Sequence, residues 1–363
     1  MIEREPPQHA KPPLSTPQII VRLAGIGAVV VVIAGAFAYV NGTLDPHRLT
    51  PARVVDLLEH NNGLFPGYRR NHSKGSCVAG YFESSGAAAS LSSAQVFAAG
   101  RTPVVGRFAL PTGNPYSPDN AAPIRSLALQ FTQANGQQWR TGVNSMPRFP
   151  VGTPDAFIDL QIATAPDPKT GKPDPAKPPA FFAAHPETAP FLAWIKTARP
   201  SASYVTETYN SVNAFVLVSA DGKRQAVRWS VVPQNQDSRV APTPQDKDFL
   251  EKDLVEKLAA SPQRFSLMLT LAQPGDPTND ASKAWPADRK TVDAGTLVLD
   301  ETQPELTGDC RDINYDPLVL PNGIEGSDDP LLAARSAAYA ASYERRTREV
   351  NELNAAPAQE KQP

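Results

Sequence analysis

The sequence predicts an α+β fold, an antiparallel β-barrel or sheet core with surrounding helices. Three observations predict it. Short strand-like runs are joined by hairpin signals. Helical stretches sit near the ends and in long insertions. Proline supplies 38 of 363 residues, a level that favours long ordered loops and disfavours an all-helical bundle. A chain of this length holds one large domain or two ordinary ones. With 41% hydrophobic residues it can build a sizeable core. The formal net charge of −2 gives no electrostatic ground for a nucleic-acid partner or an anionic surface.

The first element is the run LAGIGAVVVVIAGAFAYV at 23–40, eighteen residues without a charge. At a helical rise of about 1.5 Å per residue it just spans a hydrocarbon core. Arg4, Lys11 and Arg22 precede it, which keeps the N-terminus cytoplasmic and sends the rest out. The run also ends in Ala36-Phe37-Ala38, a pattern a signal peptidase cuts. An uncleaved anchor and a cleaved signal both fit. The expectation is an exported, periplasmic protein, membrane-anchored or, after cleavage, soluble. The two cysteines, Cys77 and Cys310, are too few for a disulfide scaffold or a thiolate zinc site. In an oxidising compartment they can pair, or they can be two small buried thiols.

The remaining elements follow in order. Residues 51–60 form a helix with Val54, Leu57 and Leu58 on one face. Strands are expected at 102–110 and 125–132, the second with Leu127, Leu129 and Phe131 alternating, and Asn135-Gly136 is a hairpin turn. A Pro/Lys/Asp-rich loop covers 163–183, and a helix covers 184–197. A second hairpin joins 212–219 to 225–232 through Asp221-Gly222. Residues 246–260 form an amphipathic helix and 295–299 a strand. This gives three regions: 1–41, a cytoplasmic N-terminus plus transmembrane anchor or signal segment; 42–350, the main domain; and 351–363, a disordered tail.

Two segments carry chemistry. Arg69-Arg70-Asn71-His72-Ser73-Lys74-Gly75 sets a histidine in a basic, glycine-bounded loop, a candidate acid/base group; the plain alternative is a surface histidine among charges. In Ser327-Asp328-Asp329-Pro330 and the Ala/Leu run after it, Asp329 suits the N-cap and Pro330 the first helical position. Arg335 and Tyr339 are four apart and share a helical face. A guanidinium beside a phenol favours the phenolate, a hard anionic ligand suited to ferric iron. Arg-x-x-x-Tyr is also an ordinary helix-face pattern. Histidines stand at 9, 47, 60, 72 and 185 and none follows, so the second segment has no imidazole to offer a metal.

The blocks RRNHSKGSCVAGYFE, TPVVGRFALPTGNPYSPD, RSLALQF, PSASYVTETYNSVNAFVLVSADGK and LPNGIEGSDDPLLAARSAAY resemble, in this order, blocks of the catalase family. The resemblance runs from about residue 51 to 346 and is nearest to the short exported catalase-related peroxidases. It implies a catalase-like antiparallel β-barrel lacking the C-terminal nucleotide-binding domain, so no NADPH partner is expected. It implies haem b with ferric resting iron ligated by Tyr339, whose phenolate Arg335 maintains. It makes His72 the distal acid/base group, gives Arg69, Arg107 and Arg346 to the haem propionates, and places Phe149 and Phe157 along the haem pocket. The usual distal asparagine aligns with Ser145, and Asn144 is one residue off; either serves. Ala109, Asn213 and Tyr343 stand where the family commonly carries serine and two histidines. The chain ends soon after Tyr339, which implies a more open haem edge. The activity implied is a haem-dependent peroxidase reducing hydrogen peroxide or small hydroperoxides with small organic one-electron donors, via a ferryl intermediate. A true catalase and a lipid-hydroperoxide-processing enzyme are the alternatives. A homo-oligomer is compatible with all three.

Overall fold

The computed structural model describes residues 14–40, 43–44, 49–235 and 246–355. Arg4, Lys11 and the end of the tail lie outside the described residues. The chain divides into two units, Met1–Thr50 and Pro51–Pro363. In the first, α1 (Thr16–Val40) is long and apolar enough to cross a membrane, and its apolar side chains are exposed.

The second unit is built around a closed barrel. Its strands are β1 (Gly75–Ser84), β2 (Gly100–Ala109), β3 (Ser126–Thr132), β4 (Gln138–Asn144), β5 (Tyr209–Asn210), β6 (Phe215–Val218), β7 (Arg224–Pro233), β8 (Gln263–Leu271), β9 (Thr291–Gln303) and β10 (Ile324–Gly326). All pairs are antiparallel. The order β7-β5-β4-β3-β2-β1-β9-β8 closes through a β7–β8 pairing, with β6 and β10 added beside β7. Closure leaves these eight strands no free edge. Gly136 and Gly222 take positive φ, 82° and 80°, at the two hairpin turns that required them.

Alternation decides what faces inward. Phe82, Phe108, Leu127, Leu129, Phe131, Trp139, Val143, Phe215, Trp229 and Phe265 fill one continuous core. Trp139 stacks on Phe131 at 4.6 Å and meets Trp229 edge-on at 5.0 Å. The opposite faces of β1–β4 carry the residues that matter below.

Seven helices are described: α1, α2 (Pro51–Asn62), α3 (Pro154–Ala163), α4 (Lys177–Ala184), α5 (Ala189–Thr197), α6 (Phe249–Ala260) and α7 (Pro330–Ala355). The loop expected at 163–183 and the single helix expected at 184–197 are both corrected. Pro178 and Pro179 fall in the first turn of α4, where proline is tolerated, so the loop ends in helix. Pro186 then separates α4 from α5 with a 3₁₀ turn, and Pro190 opens α5. The tail expected to be disordered from 351 is helical to Ala355; residues 356–363 lie outside the described part. Cys77 on β1 and Cys310 form a disulfide across 233 residues, with Cα atoms 5.4 Å apart.

Arg70 ties the outer layer together. It is buried and pairs with Glu59 on α2 and Glu349 on α7. Arg345 repeats the link to Asp56 at 2.6 Å and Glu59 at 3.2 Å. Trp139→Ala is expected to cost about 3–5 kcal/mol in denaturant unfolding, the usual range for emptying an aromatic core site. A loss under about 1 kcal/mol would contradict the packing described here.

Candidate active site

The outer faces of β1–β4 line up in rows set by register. One row is Gly75, Ala109, Ser126 and Asn144; the next is Cys77, Arg107, Ala128 and Gly142. Direct antiparallel partners present side chains on the same face. The rows therefore form a shelf of small residues, interrupted by one arginine. Only glycine fits at 75, since a Cβ there would lie 2.3 Å from the Phe108 carbonyl and 2.6 Å from Arg107 Cζ. A Cβ at Gly142 would reach to 3.3 Å from Arg335 Nη2 and 3.8 Å from Tyr339 Oη. The helix α7 thus brings Arg335 and Tyr339 against the shelf at Gly142.

Their approach is fixed by a chain of polar groups. Asp329 caps α7 through Leu331 N at 2.9 Å, as its sequence context predicts. Its other oxygen accepts from Asn213 Nδ2 at 2.8 Å. Asn213 Oδ1 accepts from Arg335 Nη1, and Arg335 Nη2 reaches Gly142 O at 3.3 Å and Tyr339 Oη at 3.4 Å. Asp329 and Asn213 are buried, and burial holds the Asp329 carboxyl above its ordinary range against these hydrogen bonds. Asn213 therefore bridges Asp329 and Arg335.

His72 stands at the mouth of β1, three residues before Gly75. Its φ of 56° is left-handed, a conformation that costs a non-glycine residue roughly 1–3 kcal/mol and concentrates at functional sites. The surroundings impose it. Asn71 Oδ1 accepts from His72 N at 2.9 Å, while Ser73 N donates to Thr112 O at 2.8 Å and Ser73 Oγ to Gly113 O at 2.7 Å. Lys74 anchors the same loop on Asp119 at 2.7 Å and Asp248 at 2.8 Å. His72 Nδ1 is sealed from solvent and has no hydrogen-bond partner among the described residues. Burial, and then the charges of Arg107, Arg335 and Arg69, push the imidazole down to about 3. It is a neutral base, and the groups that repel its proton come from both halves of the site.

Arg69, Arg107 and Arg346 converge at one end of the shelf. Arg69 Nη2 donates to the carbonyls of Cys310, Arg311 and Ile313 at 3.0, 3.1 and 3.2 Å. Arg346 donates to Arg311 O and stands 3.7 Å from Asp312. Burial, then the charges of Arg107 and Arg346, pull Arg69 down to about 9, and burial likewise lowers Arg346. Glu305 is the carboxylate in closest contact with the cluster, 3.2 Å from Arg69 and 2.9 Å from Arg107. Sequence reasoning missed Glu305, which follows Pro304 in a polar stretch without motif or periodicity.

The other expected residues separate. Asn144 lies on the shelf, and its Oδ1 accepts from Ser126 Oγ at 2.6 Å. Ser145 Oγ instead accepts from Arg125 N at 3.0 Å. Phe149 and Phe157 meet each other at 5.9 Å and pack with Val151, Ala156 and Phe181. Ala109 sits on the shelf beside Ser126, and Tyr343 lies under Arg346 at 5.3 Å.

A family model described as catalase matches residues 42–360. The chain belongs to the catalase family. A catalase-related peroxidase of Synechococcus elongatus is 39% identical over 303 residues, covering 83% of this chain and 89% of the relative. A catalase-related peroxidase of Mycolicibacterium paratuberculosis is 33% identical over 304 residues, covering 82% and 95%. Catalase A from Saccharomyces cerevisiae superposes with a TM-score of 0.71 at 19% identity, covering 81% of this chain and 64% of that one. The barrel is thus a catalase fold, and this chain spans under two thirds of that catalase.

The site fits the family's haem. The shelf suits a planar group, the arginine cluster has more positive than negative charge and suits a dicarboxylate, and a buried imidazole nitrogen with no hydrogen-bond partner among the described residues lies within electrostatic reach of Arg335 on the phenol-bearing helix. Asn213→Ala removes the partner of Arg335 Nη1 and of Asp329 Oδ2 in a buried setting. It is expected to lower stability by about 1–3 kcal/mol in urea, the usual cost of unsatisfied buried polar groups. An unchanged midpoint would contradict the relay.

Proposed function

We propose that this protein is a haem-dependent peroxidase that reduces hydrogen peroxide or small hydroperoxides with electrons from small organic donors. The convergence of His72, the arginine cluster and the Arg335–Tyr339 pair on one shelf carries this reading. Relatives of nearly the same length are catalase-related peroxidases, which favours a peroxidase over a true catalase.

The residues divide the work as follows. Tyr339 Oη, with Arg335 Nη2 beside it, would hold ferric iron as a phenolate, and the Asn213–Asp329 relay fixes Arg335 in place. Arg69, Arg107 and Arg346 would take the two carboxylates of haem b, for which guanidinium geometry is suited. When bound, haem supplies the redox-active iron at which the O–O bond is cleaved. His72, neutral and sealed, accepts a proton from the bound peroxide and returns it to the leaving oxygen. Asn144 is the distal amide, because it shares the Gly75 row while the Ser145 hydroxyl is committed to Arg125. Phe149 and Phe157 would close the apolar side. The segment α1 would export this domain to the periplasm and, if retained, anchor it.

The test uses haem-loaded protein, hydrogen peroxide and a phenolic donor. His72→Ala should lower turnover about 10²–10⁴-fold while haem stoichiometry, read at the Soret band, stays that of the wild type. Equal activity of His72→Ala would sink the mechanism. Oxygen release without donor, faster than donor oxidation, would move the assignment to a true catalase. Because His72 is neutral down to about 3, the rate of reaction with peroxide should be flat from roughly pH 5 to 8, with no limb at the ordinary imidazole value. A limb near 6.5 would show that its environment is wetter than described.

A further inference from the structure

The arginine cluster contains an acid that the peroxide chemistry does not use. Glu305 Oε1 lies 3.2 Å from Arg69 Nη1, and both Glu305 oxygens lie 2.9 Å from Arg107 Nε. Each arginine offers it one N–H. This is weaker than the parallel two-bond fork that a carboxylate and a guanidinium can form. The Glu305 side chain is 18% exposed, against 16% for Arg69 and 3% for Arg107, so Glu305 and Arg69 form the partly open edge of the cluster and Arg107 its sealed interior. The other acid nearby, Asp312, is 64% exposed and 3.7 Å from Arg346, a distance and exposure that contribute little.

Charge defines what Glu305 does. Arg69 and Arg107 contact this one carboxylate, and Arg346 beside them has only the exposed Asp312 at 3.7 Å, so positive charge exceeds negative within the cluster. A haem, on the reading proposed above, brings two carboxylates to the same guanidiniums. Arg107 Nε and Arg69 Nη1 are then wanted by two acids at once. The backbone that carries Glu305 is anchored independently of this contact. It sits in a compact turn closed by Gly308 N to Pro304 O at 2.7 Å. Two residues past Gly308, Cys310 is bonded to Cys77, the strand partner of Arg107. The disulfide fixes the backbone of this segment beside Arg107, and the Glu305 side chain reaches the cluster from a partly exposed position.

We propose that Glu305 is an internal stand-in for a haem carboxylate: it occupies the Arg69–Arg107 berth, yields that contact as haem is taken up, and so sets how tightly and how reversibly haem is held. Burial and mutual repulsion within the cluster, already visible in Arg69, give the contact its value to the haem-free chain. The proposal rests on the haem reading, but makes a prediction that reading does not. A residue that merely builds the pocket weakens haem binding when altered. A stand-in strengthens it.

The experiment compares the full chain, purified in detergent, as wild type, Glu305→Gln and Glu305→Asp. Each is titrated with haemin and with haemin dimethyl ester, which has no free carboxylate, and haem loss to an excess of a haem-scavenging apoprotein is followed. Glu305→Gln is isosteric and uncharged. It should bind haemin about tenfold more tightly and release it correspondingly more slowly, with no gain for the diester. Its haem-free form should melt below haem-free wild type, while the haem-loaded forms melt together. Glu305→Asp keeps the charge with a shorter reach and should give an intermediate preference for haemin over the diester. It decides the matter if the glutamine variant does not fold without haem. Unchanged or weaker haemin binding by the folded variants, or an equal gain for the diester, overturns the proposal. A wild type that takes up neither compound overturns the haem reading and this proposal with it, and is a distinct result from a wild type that binds haemin and variants that gain nothing.

Discussion

Three guanidiniums gathered at one end of a strand face are the constraint on which the rest of the site depends. Burying cations side by side is costly unless anions or carbonyls answer them. Here the answer comes from two stretches of chain. Glu305 supplies a charge, and the 310–313 segment supplies carbonyls to Arg69 and, through Arg311 O, to Arg346. None of these is local in sequence to Arg69 or Arg107. The cluster therefore exists only when the barrel is closed, the disulfide segment is docked and α7 lies across the shelf.

The barrel makes this geometry available by keeping its two faces chemically separate. Inward positions of β1–β4 take Phe82, Phe108, Leu127, Leu129, Phe131, Trp139 and Val143, and the outward positions opposite carry Gly75, Ala109, Ser126, Ala128 and Gly142. Large residues on one face make the frame stiff; small residues on the other leave room for a flat group and for the approach of Tyr339. One helix then serves two ends of the shelf. Arg335 and Tyr339 are one turn apart, Arg346 lies two turns further on, and the spacings of four and seven keep all three on one side of α7. Glu59 and Glu349, gripping Arg70, hold that helix to α2 and to the loop that presents His72.

Much of this was legible in the sequence, and the unread parts share physical reasons. The 69–75 and 327–339 blocks carry charges, caps and helical spacing that local rules read directly. Leu127, Leu129 and Phe131 announce β3 by alternation. Strand β1 carries no alternation signal because its outward Gly75, Cys77 and Ala79 are small and uncharged, so GSCVAGYFES lacks a regular polar face. The strand β4, QWRTGVN, hides for the same reason at Gly142. These positions are atypical because of the shelf they build. Helix α4 was hidden by prolines that happen to fall in its first turn. Glu305 and the Cys77–Cys310 pair are questions of distance in space across a long stretch of chain, which spacing in sequence does not encode. Asn144 and Ser145 are neighbours, and only strand register distinguishes the one on the shelf from the one turned into the Arg125 backbone.

The position of the iron is the most direct test of this site. Crystals of the haem-loaded protein, measured at the iron absorption edge, give its position by anomalous scattering without reference to activity. A single iron peak bonded to Tyr339 Oη is expected, between α7 and the His72 loop, with the haem carboxylates among Arg69, Arg107 and Arg346. An iron bonded to any other side chain, or a haem seated away from the β1–β4 outer face, would contradict it.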